Sequence, residues 1–308
     1  MKHTEPKVIA IPSYKNRYNE LLNAINDIDP KYDVIVFLSD TDPNKQQYYS
    51  QYSFKRSNVK FVELDAQTIG VKRQQVADYC YDHGYRYMIE LDDDLRSFAY
   101  KITEETKRKT SESYSRIKIS LSELFDKMCD VMDETDAVFV SPKFPFSLGF
   151  SKPNTLNINK SINFGQCILL DVIKLHESNI KYETDNYYHE DVDLVFKMLQ
   201  HGLNCVTIGD YAFDVTPASS DNNNSAIGNI EMFDKRYINL YLRYRDGVSL
   251  RMGKHGEIRF TSKLDKYFNT FDLPVKNDKW HREFYELCKT YDIAAIKEAL
   301  AKKQFKQN

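Results

Sequence analysis

The stretch Gly84-Tyr85-Arg86-Tyr87-Met88-Ile89-Glu90-Leu91-Asp92-Asp93-Asp94 decides the fold. Gly84 ends a helix that carries Val76, Ala77 and Cys80 inward, and the apolar run Tyr87-Met88-Ile89 after it predicts a short buried strand. The strand leads straight into three adjacent carboxylates, so the acids sit at its carboxyl end. In open α/β sheets that is the edge where ligands bind. Asp92, Asp93 and Asp94 repel one another, and gathering them there is costly unless a cation neutralises them. A solvated turn or a helix cap explains a bare acidic triplet as well, so the flanking sequence has to decide.

On the amino-terminal side, Val8-Ile9-Ala10-Ile11 reads as a strand ended by Pro12, followed by a helical face of Tyr18, Leu21, Leu22, Ile25 and Ile28. Val34-Ile35-Val36-Phe37-Leu38 is a second strand, closed by the turn Ser39-Asp40-Thr41-Asp42-Pro43, and residues 59–64 form a third. Continuous apolar strands predict a sheet covered on both faces. Residues 101–115 are polar and predict a mobile loop beside the acids, a candidate lid. Beyond it come an amphipathic helix (Ile117, Leu121, Leu124, Phe125, Met128, Met132), a strand at 137–140, a long loop at 144–163 and a strand at 164–170. A helix from Glu190 buries Val192, Val195, Phe196 and Leu199, Gly202 ends it, and 204–208 is a further strand. Past the polar loop 219–224 the chain turns basic and Tyr-rich over 235–263 and then helical over 282–303. The expected organisation is an α/β domain at 1–215 and a helical, basic extension at 216–308 that binds the acceptor of any transfer.

With 42% apolar residues in 308, the chain can build a sizeable core. Lys and Arg number 43 against 45 Asp and Glu, a net charge of -2, so a nucleic-acid partner would have to be held by a local patch. The five cysteines are scattered without CxxC spacing, which predicts reduced core thiols and a cytoplasmic protein. No stretch has signal-peptide character or approaches the roughly 20 apolar residues of a membrane span, so no membrane partner is expected, and no obligate protein partner is evident.

Ile69-Gly70-Val71-Lys72-Arg73-Gln74-Gln75, then Ala77, then the stretch quoted at the outset resembles GT-A glycosyltransferases: a Gly-Arg-Asn/Gln helix start, a helix, and a strand ending in a DxD motif. Glycosyltransferase family 2 is similar in this respect. The resemblance implies a Rossmann-like, mostly parallel sheet flanked by helices. It also implies Mn²⁺ or Mg²⁺ held by Asp92 and Asp94 against the diphosphate of a nucleotide-sugar donor, such as a UDP-sugar, with Asp93 near the ribose. Tyr188-His189-Glu190-Asp191-Val192-Asp193 resembles the family's ED segment, which implies Asp191 as the base that deprotonates an acceptor hydroxyl, with Glu190 beside it and inversion as the outcome. Read alone, acids in the first turn of a helix also complement its dipole, and Asp193 is a competing base.

The segment Ile11-Pro12-Ser13-Tyr14-Lys15-Asn16-Arg17 resembles the loop that receives the nucleoside, which implicates Pro12, Ser13, Tyr14 and Arg17, while Asp40 matches a carboxylate on base or ribose. Arg73 at a helix start suits a diphosphate. The chain departs from the pattern at Tyr211-Ala212-Phe213-Asp214-Val215-Thr216-Pro217, where many GT-A enzymes have a His ligand; Asp214 is the candidate third ligand here. The Gly-x-x-Arg-Gln, Asp-Asp-Asp and His-Glu-Asp set further resembles TET/JBP-associated glycosyltransferases of phages, which implies a hydroxymethylated pyrimidine in DNA as acceptor, modified in the host cytoplasm. Lys235, Arg236, Arg243, Arg245, Arg251, Lys254, Arg259 and Lys263, interleaved with Tyr237, Tyr241 and Tyr244, form the patch that suits such an acceptor, with Arg243, Arg245 and Arg251 as the expected contacts. Solvated helix residues over a core Tyr stripe are the competing explanation.

A lipopolysaccharide or capsule glycosyltransferase would share every core motif. A non-catalytic nucleotide-sugar-binding module would bind without turnover. A sugar nucleotidyltransferase lacks its GxGTR-like loop here, and a metal phosphoesterase would need more ligands than seven scattered histidines offer.

Overall fold

A computed structural model describes residues 6–13, 21, 25–26, 28–52, 56–66, 68–93, 95–109, 113–148, 151–164, 166–185, 189–215, 230–245, 247–271, 273–274 and 276–305. Strands form where the apolar runs lie: β1 (Lys7–Ser13), β2 (Asp33–Ser39), β3 (Val59–Leu64), β4 (Tyr87–Leu91), β5 (Leu95–Lys101), β6 (Ile117–Ser120), β7 (Ala137–Lys143), β8 (Leu156–Ile158), β9 (Cys167–Asp171) and β10 (Asn204–Val215). They share one sheet in the order β3-β2-β1-β4-β9-β7-β10-β5-β6, with β8 beside β10. The half from β3 to β4 is parallel, as the βα rhythm of the sequence predicts, and β9 joins it antiparallel. Parallel pairing returns only between β7 and β10, so the sheet is mixed beyond β4.

Side chains alternate across this sheet. Val8 and Ala10 of β1 enter the layer that contains Val76 and Cys80, while Ile9 and Ile11 enter the layer that contains Leu124, Phe125 and Met128. The covering helices are α1 (Lys45–Tyr52), α2 (Ile69–Asp82), α3 (Leu121–Thr135), α4 (Pro145–Leu148), α5 (Val172–Glu177) and α6 (Glu190–Gln200). The beginning of α2 is fixed in two ways. The Thr68 hydroxyl caps it by accepting from Val71 N at 3.1 Å and donates to Thr184 O at 3.1 Å. Gly70 lets the helix approach the 183–184 backbone, for a Cβ there would stand 2.0 Å from the Glu183 carbonyl oxygen.

The carboxy-terminal unit consists of α7 (Ile230–Tyr244), the antiparallel hairpin β11 (Val248–Met252) and β12 (Ile258–Ser262), α8 (Lys279–Lys289) and α9 (Ile293–Phe305). Fully buried Asp234 ties it together, accepting from Ile258 N at 2.7 Å and pairing with Lys297 Nζ at 2.6 Å. One apolar cluster runs from the α2 and α6 layer through Ile238, Leu240 and Tyr244 to Phe284 and Leu300, so this unit is built onto the α/β core.

Two expectations are corrected. The candidate lid is anchored: Ile102 and Tyr114 pack with Leu148 and Ala212, and Arg108 N and Ser115 N bond across to Ser113 O and Thr106 O at 2.9 and 2.8 Å. Its polar composition reflects an exposed turn over two buried apolar anchors. The strand expected at 204–208 continues to Val215, because Gly209 and Asp210 interrupt the apolar pattern without ending the pairing with β7 and β5.

Candidate active site

Arg73 leaves the first turns of α2 and is 5% exposed. Its Nε lies 2.9 Å from Glu90 Oε1, its Nη2 3.0 Å from Asp92 Oδ1 and its Nη1 3.2 Å from Glu190 Oε1. Only the Asp92 contact is aligned as a hydrogen bond; the other two are contacts between charges. Burial opposes the guanidinium's charge, but Glu90, Glu190 and Asp92 outweigh it and hold its pKa well above the ordinary value. One buried cation thus joins the middle of β4, its carboxyl end and the head of α6. Arg73, expected as a diphosphate ligand, stands in the structure as an internal strut among carboxylates.

The acids outnumber it. Burial pushes Glu90 up to about 7 against the pull of Arg73, and Tyr182 Oη donates to its Oε2 at 3.1 Å. Glu190 is raised by burial, with the neighbouring Asp191 charge adding to the shift. Asp191 is raised first by burial, resisted by Arg73 and by the Val192 amide that donates to its Oδ1 at 2.8 Å, and then raised again by Asp92. Asp92 and Asp191, 99 positions apart, are therefore within electrostatic reach of each other. The Asp191 charge also raises Tyr237 on α7, second to burial among the upward influences, so the carboxy-terminal unit borders the base position.

Ser13, fully buried at the end of β1, donates to Asp93 Oδ2 at 2.9 Å and shares a 2.9 Å hydrogen bond with Tyr48 Oη. Lys72 Nζ donates to Ser13 O at 2.5 Å; burial lowers its pKa to about 8, offset in part by Asp93 and Asp42. Pro12 is buried within β1, and Asp40 is exposed in the turn after β2. Tyr14, Arg17 and Asp94 lie outside the described residues, as does the Asp214 side chain. The Asp214 backbone falls at a register shift of β10, between Phe213 opposite Ala99 and Val215 opposite Leu95, the residue that follows Asp94. Among the described residues no three His, Cys, Asp or Glu side chains gather as a metal site. Asp92 is one third exposed with hard carboxylate oxygens, a donor type that suits Mg²⁺ or Mn²⁺.

Around the head of α6, His189 packs against Tyr237 with ring centroids 4.6 Å apart. Burial, then Arg236, lowers its pKa to about 4, so it is neutral at neutral pH, and its Nε2 is buried without a hydrogen-bond partner among the described residues. Asp193 is fully buried and held by Arg243 Nη1 at 2.7 Å, Lys197 Nζ at 2.7 Å and Tyr244 Oη at 2.8 Å. This places Asp193, the competing base, in a packed joint, and it places Arg243, expected on the acceptor, in the same joint with Glu183 at 2.7 Å. Tyr241 and Tyr244 are each 5% exposed and belong to the core stripe rather than to a stacking surface. Arg245 lies over the Tyr285 ring at 4.3 Å, and Arg251 is exposed on β11 opposite Arg259 of β12.

Sequence reasoning missed Glu90, Lys72 and Tyr182, and named Tyr237 only as part of the acceptor patch. Glu90 had a signal, a charged residue inside the apolar run of β4, which is tolerated in a core only when paired. Lys72 adjoined Arg73 in a quoted motif and was passed over.

No helix among the described residues is long and apolar enough to cross a membrane. No curated protein sequence matches the chain. Among solved structures, S. aureus TarS 1-349 in complex with UDP-GlcNAc is similar with a TM-score of 0.52 at 15% identity, over 77% of this chain and 66% of that one, just under two thirds of its length. The mannosyltransferase PcManGT from Pyrobaculum calidifontis, in complex with GDP-Man and Mn²⁺, is similar with a TM-score of 0.54 at 13% identity, over 96% and 74%. At these identities the likeness establishes the shared fold. Residues 10–224 match the model of the TET-associated glycosyltransferases, a span that takes in the Arg73 strut, the acids after β4 and the head of α6, and the chain belongs to that family of glycosyltransferases.

Proposed function

We propose that this glycosyltransferase moves a sugar from a nucleotide diphosphate donor, with UDP as the favoured nucleotide, to a hydroxyl acceptor with inversion, and that Asp191 is its general base. The observation that carries this reading is the junction at Arg73, which ties the head of α6 to the carboxyl end of β4, where burial and then the Asp92 charge raise the proton affinity of Asp191 against the pull of Arg73. A carboxylate whose pKa is raised is a stronger base for a hydroxyl proton. Asp191 takes the proton as the acceptor oxygen attacks the anomeric carbon. The bond from that carbon to the diphosphate oxygen breaks on the opposite face, and the diphosphate leaves with the electron pair. Attack opposite the leaving group inverts the configuration.

Asp92 and Asp94, with Asp214, would hold Mn²⁺ or Mg²⁺, which when bound supplies positive charge to the departing diphosphate. Support comes from the excess of carboxylates over cations around Arg73, from the β10 register shift beside the start of β5, and from the Mn²⁺ and GDP-Man in the similar PcManGT. Tyr14, Arg17 and Asp40 receive the nucleoside and Asp93 the ribose, while Pro12 and Ser13, expected as further contacts, are buried at the end of β1 and position the chain that leads to them. Residues 216–308 serve as the acceptor-binding unit, and the acceptor is a hydroxymethylated pyrimidine in DNA. The family supports that acceptor, as does the β11–β12 hairpin: Arg251 stands on its exposed face directly opposite Arg259, which is paired with Glu257 at 2.7 Å, and such a face suits a phosphate.

The test is mass spectrometry after incubation with a panel of nucleotide sugars, Mn²⁺, and either hydroxymethylated DNA or free glycans. The expected result is a Mn²⁺-dependent gain of one sugar mass on the DNA and inverted anomeric configuration. Glycosylation of glycans alone overturns the acceptor, a retained configuration overturns the role of Asp191, and metal-independent turnover overturns the cation.

A further inference from the structure

The carboxy-terminal unit contains a second concentration of charge, opposite in sign to the cluster around Arg73. Between α7 and the start of α8 lies a cavity of about 310 Å³ whose walls include Arg245, Lys276, His281, Arg282 and Tyr285. The carboxylate on its rim, Glu286, is paired with Lys289 at 2.8 Å. Tyr285 has two cations against its ring, Arg245 at 4.3 Å and Lys289 at 4.6 Å from the centroid. Burial and then Lys276 lower the pKa of Lys303, against the pull of Asp278. Asp278, bound to His281, and Glu286, bound to Lys289, offset part of this charge, and with Arg245, Lys276 and Arg282 on one wall the cavity favours an anionic ligand. Two guanidinium forks over an aromatic wall suit the oxygens of a phosphate, and about 310 Å³ is the low end of ligand-sized pockets, room for a phosphate with the sugar it esterifies.

We propose that this cavity binds a phosphodiester of the acceptor strand and is an anchor separate from the donor diphosphate site. Its position supports a strand rather than a free nucleotide. Tyr237, at the middle of α7 and within the field of Asp191, and Arg245, just past the end of α7, are eight residues apart. That is about 12 Å along a helix axis at 1.5 Å per residue. At about 3.4 Å per stacked nucleotide it corresponds to three or four units of one strand. A mononucleotide at Arg245 is too short to present a hydroxyl to Asp191.

The role as acceptor anchor rests on the transfer reading above; the existence of the site does not. The test is therefore direct binding to the full chain, with the thymidine tetranucleotide dT4, inorganic phosphate, thymidine monophosphate and UDP as separate probes. The main variants are Lys276→Gln and Arg282→Gln, both at exposed positions, with Arg245→Gln as a third. Each is expected to weaken dT4 binding about five- to tenfold and to flatten its salt dependence, as loss of one phosphate contact does. UDP binding stays unchanged. Equal dT4 affinity in all variants overturns the site. Thymidine monophosphate or inorganic phosphate bound as tightly as dT4 overturns the strand assignment, and joint loss of UDP and dT4 binding overturns its separateness from the donor site. Because no arm needs turnover, an absence of sugar transfer would count against the transfer reading alone.

Discussion

α6 meets two charge clusters of opposite composition within its first turns. At its head, Glu190 shares one guanidinium with Glu90 and Asp92, and Asp191 lies in the field of the same group. Three residues on, Asp193 is a single carboxylate served by Arg243, Lys197 and Tyr244. Acids are in excess at the first cluster and donors at the second. Asp193, held from three sides, acts as a fastener, whereas Asp191 keeps a raised affinity for a proton, first through burial and then through the Asp92 charge. Under the proposed mechanism, two aspartates a half-turn apart, alike in sequence, divide between chemistry and packing.

The largest test of that contrast is Asp191→Asn, which removes the base with almost no change of volume. It should lower kcat about 10²–10⁴-fold, the usual worth of a general base, with the thermal midpoint nearly unchanged. Asp193→Ala should do the reverse. It strips the fastener from the α6–α7 joint and leaves Arg243 and Lys197 without it, at a cost of about 3–5 kcal/mol in denaturant unfolding, while the molecules that remain folded turn over normally. If Asp193→Ala abolishes turnover without loss of stability and Asp191→Asn does not slow it, the assignment is inverted.

The smallest effect concerns His189, at the boundary between the two clusters. Its folded pKa, about 4, lies below the ordinary 6.5. The unfolded chain therefore binds the extra proton first as pH falls, and stability present above pH 6.5 is lost as pH drops toward 4. Between pH 7 and 5 this amounts to about 2 kcal/mol. His189→Gln should flatten that part of the stability profile; an unchanged slope would assign it to other groups.

The parts of the molecule legible in sequence were those where one physical rule dominates. Val8 to Ile11, Val34 to Leu38 and Tyr87 to Ile89 read as buried strands because solvent exclusion on both faces leaves a continuous apolar run. Gly70 was quoted as part of a motif, and its cause, the Glu183 carbonyl, is visible only in three dimensions. Long-range pairing was what the chain hid. Arg243 reads as a free basic residue of a Tyr-rich helix until Asp193, 50 positions earlier, is placed against it. The polar run at 101–115 reads as a lid because its two anchors, Ile102 and Tyr114, find Ala212 and Leu148 from other elements. The cavity beside Arg245 is likewise assembled from α7 and the approach to α8, whose charges are unremarkable in either segment alone.

The strut at Arg73 has a mechanical consequence. A single side chain, gripped from β4 and from α6, makes the wall that faces a donor and the wall that carries the proton acceptor parts of one rigid frame. Under the proposed mechanism, a frame tied in this way resists opening like a hinge between donor and acceptor walls. It works as a fixed gauge: the spacing between departing phosphate and incoming oxygen is set before either arrives, and any gating falls to the loops at its rim. Loosening that grip, by Arg73→Lys for example, would widen the gauge first and weaken the fold second.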